Sequence, residues 1–145
     1  RLAADCKNIV SIKEAGGSVD RVNQLFQAVP ADFSILSGDD PLTLPFMSCG
    51  AVGLVSVAAN IVPGVLVKLV QTCLDGDYPA ALAQQKEFYP LFRGLMSLDV
   101  NPVPIKTAAA LQGHCTEEFR LPLAPMTDSA KTQLAALLRE FSLLS

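Results

Sequence analysis

Between Ile9 and Leu74, short β-branched or apolar runs alternate three times with segments of helical spacing. Residues 9–14 read as a strand ending at Gly16-Gly17, and Ser18 then caps a helix over 19–29, with Val22, Leu25, Phe26 and Val29 on one face. Pro30 stops that helix. Residues 33–37 read as a second strand closed by Gly38-Asp39-Asp40, followed by a short helix over 42–49 with Pro41 tolerated in its first turn. Residues 53–57 read as a third strand, and Pro63 opens an apolar helix to about Leu74. Alternation at this pitch signals parallel βα units, and strands this apolar suit a sheet covered on both faces. A doubly wound sheet and a (β/α) barrel both satisfy the pattern.

The second part changes character. Asp77 caps a helix from Tyr78 to about Leu95, and Asn101-Pro102-Val103-Pro104 interrupts regular helix before a new one over 105–113. Residues 120–125 read as an extended, proline-punctuated link. Thr127 or Asp128 caps a last helix over 129–141, striped by Leu134, Leu137, Leu138 and Phe141. The domain boundary expected from this shift divides residues 1–76 from 77–145.

Composition excludes several classes. The chain is 50% hydrophobic and 17% charged, so disorder is excluded. Its most apolar stretch, 51–70, is broken by Gly53, Asn60, Pro63, Gly64 and Lys68, which argues against a membrane span. A net charge of −3 without a lysine or arginine run argues against nucleic acid as a partner. The four widely spaced cysteines, Cys6, Cys49, Cys73 and Cys115, read as buried free thiols, and no secretory signal is visible, so a cytoplasmic location is expected. The chain opens on Arg1 without Met, as a piece of something longer would. So apolar a chain of 145 residues should have a partner for its extra surface.

Lys13 is the residue with the most chemical promise. It stands one step from the C-terminal end of the first strand, where α/β active sites assemble. Ile9, Ser11 and Lys13 face one way, and Val10, Ile12 and Glu14 the other. Burial there would lower the amine's pKa and make it a nucleophile toward a carbonyl, whereas a lysine merely reaching solvent is the bland alternative. The remaining features favour structural roles. Gly38-Asp39-Asp40 reads as a turn and helix cap, not a metal site. His114 beside Cys115 forms neither a zinc site nor a dyad by itself. Phe46, Met47, Tyr89 and Phe92 read as core, and the glycine spacings fail the dinucleotide fingerprint.

Ile12-Lys13-Glu14-Ala15-Gly16 resembles the Schiff-base lysine segment of the dihydrodipicolinate synthase family and its class I aldolase relatives. The likeness continues through Arg21-Val22-Asn23-Gln24, Leu36-Ser37-Gly38-Asp39-Asp40, Gly53-Leu54-Val55-Ser56-Val57-Ala58-Ala59-Asn60, Asn101-Pro102-Val103-Pro104-Ile105-Lys106 and Arg120-Leu121-Pro122-Leu123, so it spans essentially the whole chain. The resemblance implies a partial (β/α)8 TIM barrel, with strands six to eight and their helices in 1–76 and a C-terminal helical extension in 77–145. It implies condensation of pyruvate with aspartate semialdehyde for lysine biosynthesis. Lys13 is then the amine that attacks pyruvate, Val55 offers its backbone carbonyl nearby, Gly38 lies at the pocket rim, and no metal or organic cofactor is needed.

The same resemblance puts turnover in doubt. The family's relay of one threonine and two tyrosines lies upstream of every segment present, as do its carboxylate-binding and lysine-feedback residues, and Tyr78 and Tyr89 cannot replace that relay. Three strands also leave open edges and an uncovered face, so a homo-oligomer or a complementary N-terminal barrel fragment is expected as partner. A truncated, self-associating half-barrel and a sister pyruvate-dependent sugar-acid aldolase are the alternative readings.

Overall fold

A computed structural model describes residues Arg1–Ser145. The chain divides into two compact units, the first taking in Arg1–Ser56 and Gly64–Gln85, the second Val57–Pro63 and Lys86–Ser145.

In the first unit, a short helix α1 (Leu2–Asp5) that the sequence reading did not anticipate precedes strand β1 (Ser11–Glu14). Helix α2 (Val19–Ala28) follows, then strand β2 (Ser34–Ser37). Both strands begin later than expected, but their pairing is parallel, with Lys13 opposite Leu36 and Glu14 opposite Ser37. The expected third strand contracts to one bridging residue, Leu54, parallel to Ser37. Its neighbours still make ladder bonds: the Ser37 N–H donates to the Gly53 carbonyl and the Val55 N–H to the Ser37 carbonyl, each at 2.8 Å. The contraction has a plain cause. β2 ends at Ser37, so the third segment has little strand to pair with, and the chain turns into a 3-10 segment at Ala58–Asn60.

Local signals set the helices of this unit. The Ser18 hydroxyl accepts the Arg21 N–H at 3.3 Å and caps α2, and Asp20 sits favourably in its first turn. Past β2 the chain makes a 3-10 turn (Asp40–Leu42) and helix α3 (Thr43–Ser48), so the turn expected at Gly38-Asp39-Asp40 is present. The expected cap is not: the N-cap positions are Asp39 for the turn and Leu42 for α3, and neither makes a side-chain cap bond. Helix α4 (Pro63–Leu74) starts at its proline and buries Leu66, Leu69 and Cys73 at helical spacing. With Val22, Leu25, Ile35, Phe46, Met47 and Ala81, these residues make the core of the unit.

Helix α5 (Tyr78–Ser97) contributes residues through Gln85 to the first unit and the rest to the second. In the second unit Leu91, Phe92 and Leu95 of α5 are buried, with Val103, Ile105 and Ala108 of α6 (Val103–Leu111) and Leu134 and Leu138 of α7 (Asp128–Glu140). The Phe88 ring lies 6.4 Å from that of Phe92 and 5.5 Å from that of Phe141. α6 begins two residues earlier than the sequence reading placed it, because prolines fit the first turn, where an N–H is not required. The Thr127 hydroxyl caps α7 by accepting the Ala130 N–H at 3.3 Å. Between these helices the buried Thr107 hydroxyl donates to Glu117 at 3.2 Å, and Lys131 pairs with the same carboxylate.

Two core assignments need correction. Tyr89 is 47% exposed, since it stands at the border of the buried stripe of α5 and not within it. All four cysteines are free, but only Cys73 is buried. Cys115 lies exposed in the loop after α6. No helix is long and apolar enough to cross a membrane.

Candidate functional site

Lys13 is the third residue of β1 and Gly38 the first residue past β2, and parallel pairing sets these strand ends side by side. The Gly38 N–H donates to the Glu14 carbonyl at 2.7 Å, extending the ladder one step. The absent side chain at position 38 matters. A Cβ there would lie 2.7 Å from the Ala15 Cβ, 2.8 Å from the Lys13 Cε and 2.9 Å from the Lys13 Cγ. Gly38 thus leaves the space that the stem of Lys13 occupies. Val55 reaches the same end of the sheet through its bond to Ser37, but the atoms that a Cβ at position 38 would meet are those of Lys13 and Ala15.

The expectation of a desolvated amine fails for these 145 residues. Lys13 is exposed, as are Ser11 on the same strand face and Val55 at 41%. Alternation holds, since Glu14 on the opposite face is buried. The physical reason is the narrow sheet: two strands and one bridging residue offer neighbours to only part of the Lys13 face.

Glu14 is a site residue that the sequence reading passed over. Its Oε1 accepts the Gly16 N–H at 2.6 Å, and its Oε2 lies 3.8 Å from Nε of Arg21 on α2. The carboxylate therefore ties the turn after Lys13 to the next helix. A charged residue on the covered face of an apolar strand, followed by Gly-Gly, was the available signal.

The elbow after β2 is held as firmly. The Ser37 hydroxyl donates to the Asp39 carbonyl at 2.9 Å, and the Thr43 hydroxyl to that of Asp40 at 2.9 Å. Gln85, from α5, donates through Nε2 to the Pro41 carbonyl at 3.0 Å and the Asp40 carbonyl at 3.3 Å.

In the second unit the two proline-containing motifs meet. Pro102, Lys106, Glu118, Phe119, Arg120 and Leu123 line a cavity of about 480 Å³. Lys106 donates its ammonium to the Glu118 carbonyl and lies 5.3 Å from the centre of the Phe119 ring. This amine fastens the segment after α6. Cys115, with its Sγ 3.8 Å from the Lys106 carbonyl, belongs to the same packing.

The comparisons with known proteins agree with one another. The model of the dihydrodipicolinate synthetase family matches residues 1–141. The 4-hydroxy-tetrahydrodipicolinate synthase of Endomicrobium trichonymphae is 41% identical over 144 residues, which are 99% of this chain and 49% of that protein. The dihydrodipicolinate synthase of Aquifex aeolicus superposes with a TM-score of 0.94 at 39% identity, over 98% of this chain and 48% of its own. The chloride-inhibited enzyme of Acinetobacter baumannii, solved in complex with pyruvate, gives 0.91 at 31% identity, over 99% of this chain and 49% of its own. The chain spans about half the length of the curated relatives it matches.

Proposed function

Because this chain belongs to the dihydrodipicolinate synthetase family, and its sheet and helices form part of a (β/α) barrel, we propose that it supplies the nucleophile of a lyase condensing pyruvate with aspartate semialdehyde in lysine biosynthesis. The observation that carries this reading is the packing of the Lys13 stem on the bare Cα of Gly38 at the C-terminal end of parallel strands.

In the proposed chemistry the neutral Lys13 Nζ adds to the keto carbon of pyruvate, and the carbinolamine takes up a proton at its hydroxyl and loses water to give the protonated imine. That iminium draws electrons from the methyl group, which gives up a proton and leaves an enamine. The enamine carbon attacks the aldehyde carbon of aspartate semialdehyde, whose oxygen takes up a proton as the new carbon–carbon bond forms and the iminium is regenerated. Hydrolysis of that iminium frees the product and returns Lys13. The imine is its own electron sink, so the proposed reaction needs no metal or organic cofactor. Gly38 and the Val55 carbonyl are proposed to border the bound pyruvate. The four free thiols fit a reducing, cytoplasmic setting.

Turnover is proposed to need a further barrel segment over the Lys13 face, from another copy of the chain or another part of the protein. Val10, Val52 and Val55 stand exposed at the sheet and favour such an association. Light scattering should then give a dimer or larger, and a monodisperse monomer would contradict the association.

Reduction with borohydride in the presence of pyruvate tests the nucleophile. The adduct is expected on Lys13. Equal labelling of Lys7 and Lys106, or an adduct elsewhere, would sink the assignment.

A further inference from the structure

Gln85 is buried to 6% exposure, and its Nε2 donates to two successive main-chain carbonyls, Pro41 and Asp40, that lie 44 and 45 residues away in the chain. Its Oε1 is buried without a hydrogen-bond partner. An apolar side chain of similar volume would avoid the cost of that orphaned oxygen. The property that only the amide supplies is direction, a grip on the elbow that follows β2.

That elbow controls where Gly38 sits. Gly38 precedes Asp40 by two residues and is fixed from the other side by its N–H bond to the Glu14 carbonyl at 2.7 Å. Its Cα in turn bounds the stem of Lys13, where even a Cβ would fall within 2.9 Å of Cγ. A shift of the elbow by a few tenths of an ångström would therefore be felt by the Lys13 side chain.

We propose that Gln85 is a positioning residue for Lys13: it holds the Asp40–Pro41 carbonyls so that Gly38 keeps the lysine stem aimed for attack on a keto carbon. The proposal rests on the Schiff-base reading of Lys13. Every residue in it belongs to the first unit.

The test is borohydride trapping with pyruvate on the full 145-residue chain. The maximal trapping rate at Lys13, the half-saturating pyruvate concentration and the thermal midpoint are measured together. Gln85→Met keeps the volume and removes both donated bonds. Its maximal rate at Lys13 is expected to fall about ten-fold, with half-saturation and the labelling of Lys7 and Lys106 unchanged. Gln85→Asn, which keeps the amide, should fall between it and the wild type. Gln84→Met is the control, because Gln84 donates to the Thr72 hydroxyl at 3.0 Å and not to the elbow. It should trap at the wild-type rate.

Wild-type rates in both Gln85 variants, or an equal loss in Gln84→Met, would overturn the positioning role. A lowered midpoint with an unchanged rate per folded molecule would do the same. A wild type with no preference for Lys13 overturns the Schiff-base reading and the role of Gln85 with it. A selective wild type beside an unaffected Gln85→Met overturns Gln85 alone.

Discussion

The stem of Lys13 crosses Gly38 at close range, with Cε and Cγ standing 2.8 and 2.9 Å from where a Cβ would be. The lysine end could swing aside, but the Ala15 Cβ at 2.7 Å is fixed to its own backbone. Gly38→Ala should therefore cost about 1–3 kcal/mol, as overpacking does. It should also slow pyruvate trapping at Lys13. Thermal melts and borohydride trapping check the two effects separately, and a variant as stable and as reactive as the wild type would refute the close packing.

What the sequence disclosed follows from how local each signal is. Ser18 and Thr127 cap their helices by bonds three residues away, so they are legible in the sequence alone. Lys13 and Gly38 stand out as candidates in the sequence because strand ends collect chemistry and because their segments carry the family resemblance. The third strand was overestimated because its length depends on β2, which stops at Ser37. The burial of Lys13 was overestimated for a similar reason, since a strand face is covered only by neighbours in space. Gln85 gave no signal, because its meaning lies in two carbonyls 44 and 45 residues away in the chain.

Glu14 separates a hydrogen bond from an ion pair. Glu14→Gln keeps an acceptor for the Gly16 N–H and loses the charge facing Arg21 at 3.8 Å. The arginine is half exposed, so the loss should stay below about 1 kcal/mol. Glu14→Leu removes the acceptor and should cost about 1–3 kcal/mol. Denaturant unfolding of the two variants should rank them in that order, and equal losses would assign the residue's worth to the ion pair.

Gly94 lies inside α5, where alanine would be the better helix former by about 1 kcal/mol. A Cβ there would overlap Cδ2 of Leu137 on α7. Gly94→Ala should thus destabilise despite its propensity, because Leu137 must leave its rotamer. In a Leu137→Ala background the same substitution should be neutral or stabilising. A double-mutant cycle by thermal melting should give a coupling of about 1 kcal/mol or more, and additive effects would place Leu137 elsewhere.

The cysteines should react in the order of their exposure. Burial pushes the Cys73 thiol up, so its neutral form is the one favoured in the folded state. The thiolate is the nucleophile, and Cys115 is exposed. An aromatic disulfide reagent should therefore modify Cys115 first and Cys73 last, at a rate set by opening of the fold. The sign of the pH effect follows from the same shift. Below the ordinary thiol range neither state is charged and the contribution of Cys73 is fully present. As pH rises from about 8 the unfolded chain loses the proton first, and stability falls until the folded thiol also titrates. Cys73→Ala should begin less stable, having lost packing, and decline less steeply with alkaline pH. Parallel declines in the two proteins would remove Cys73 from the pH response.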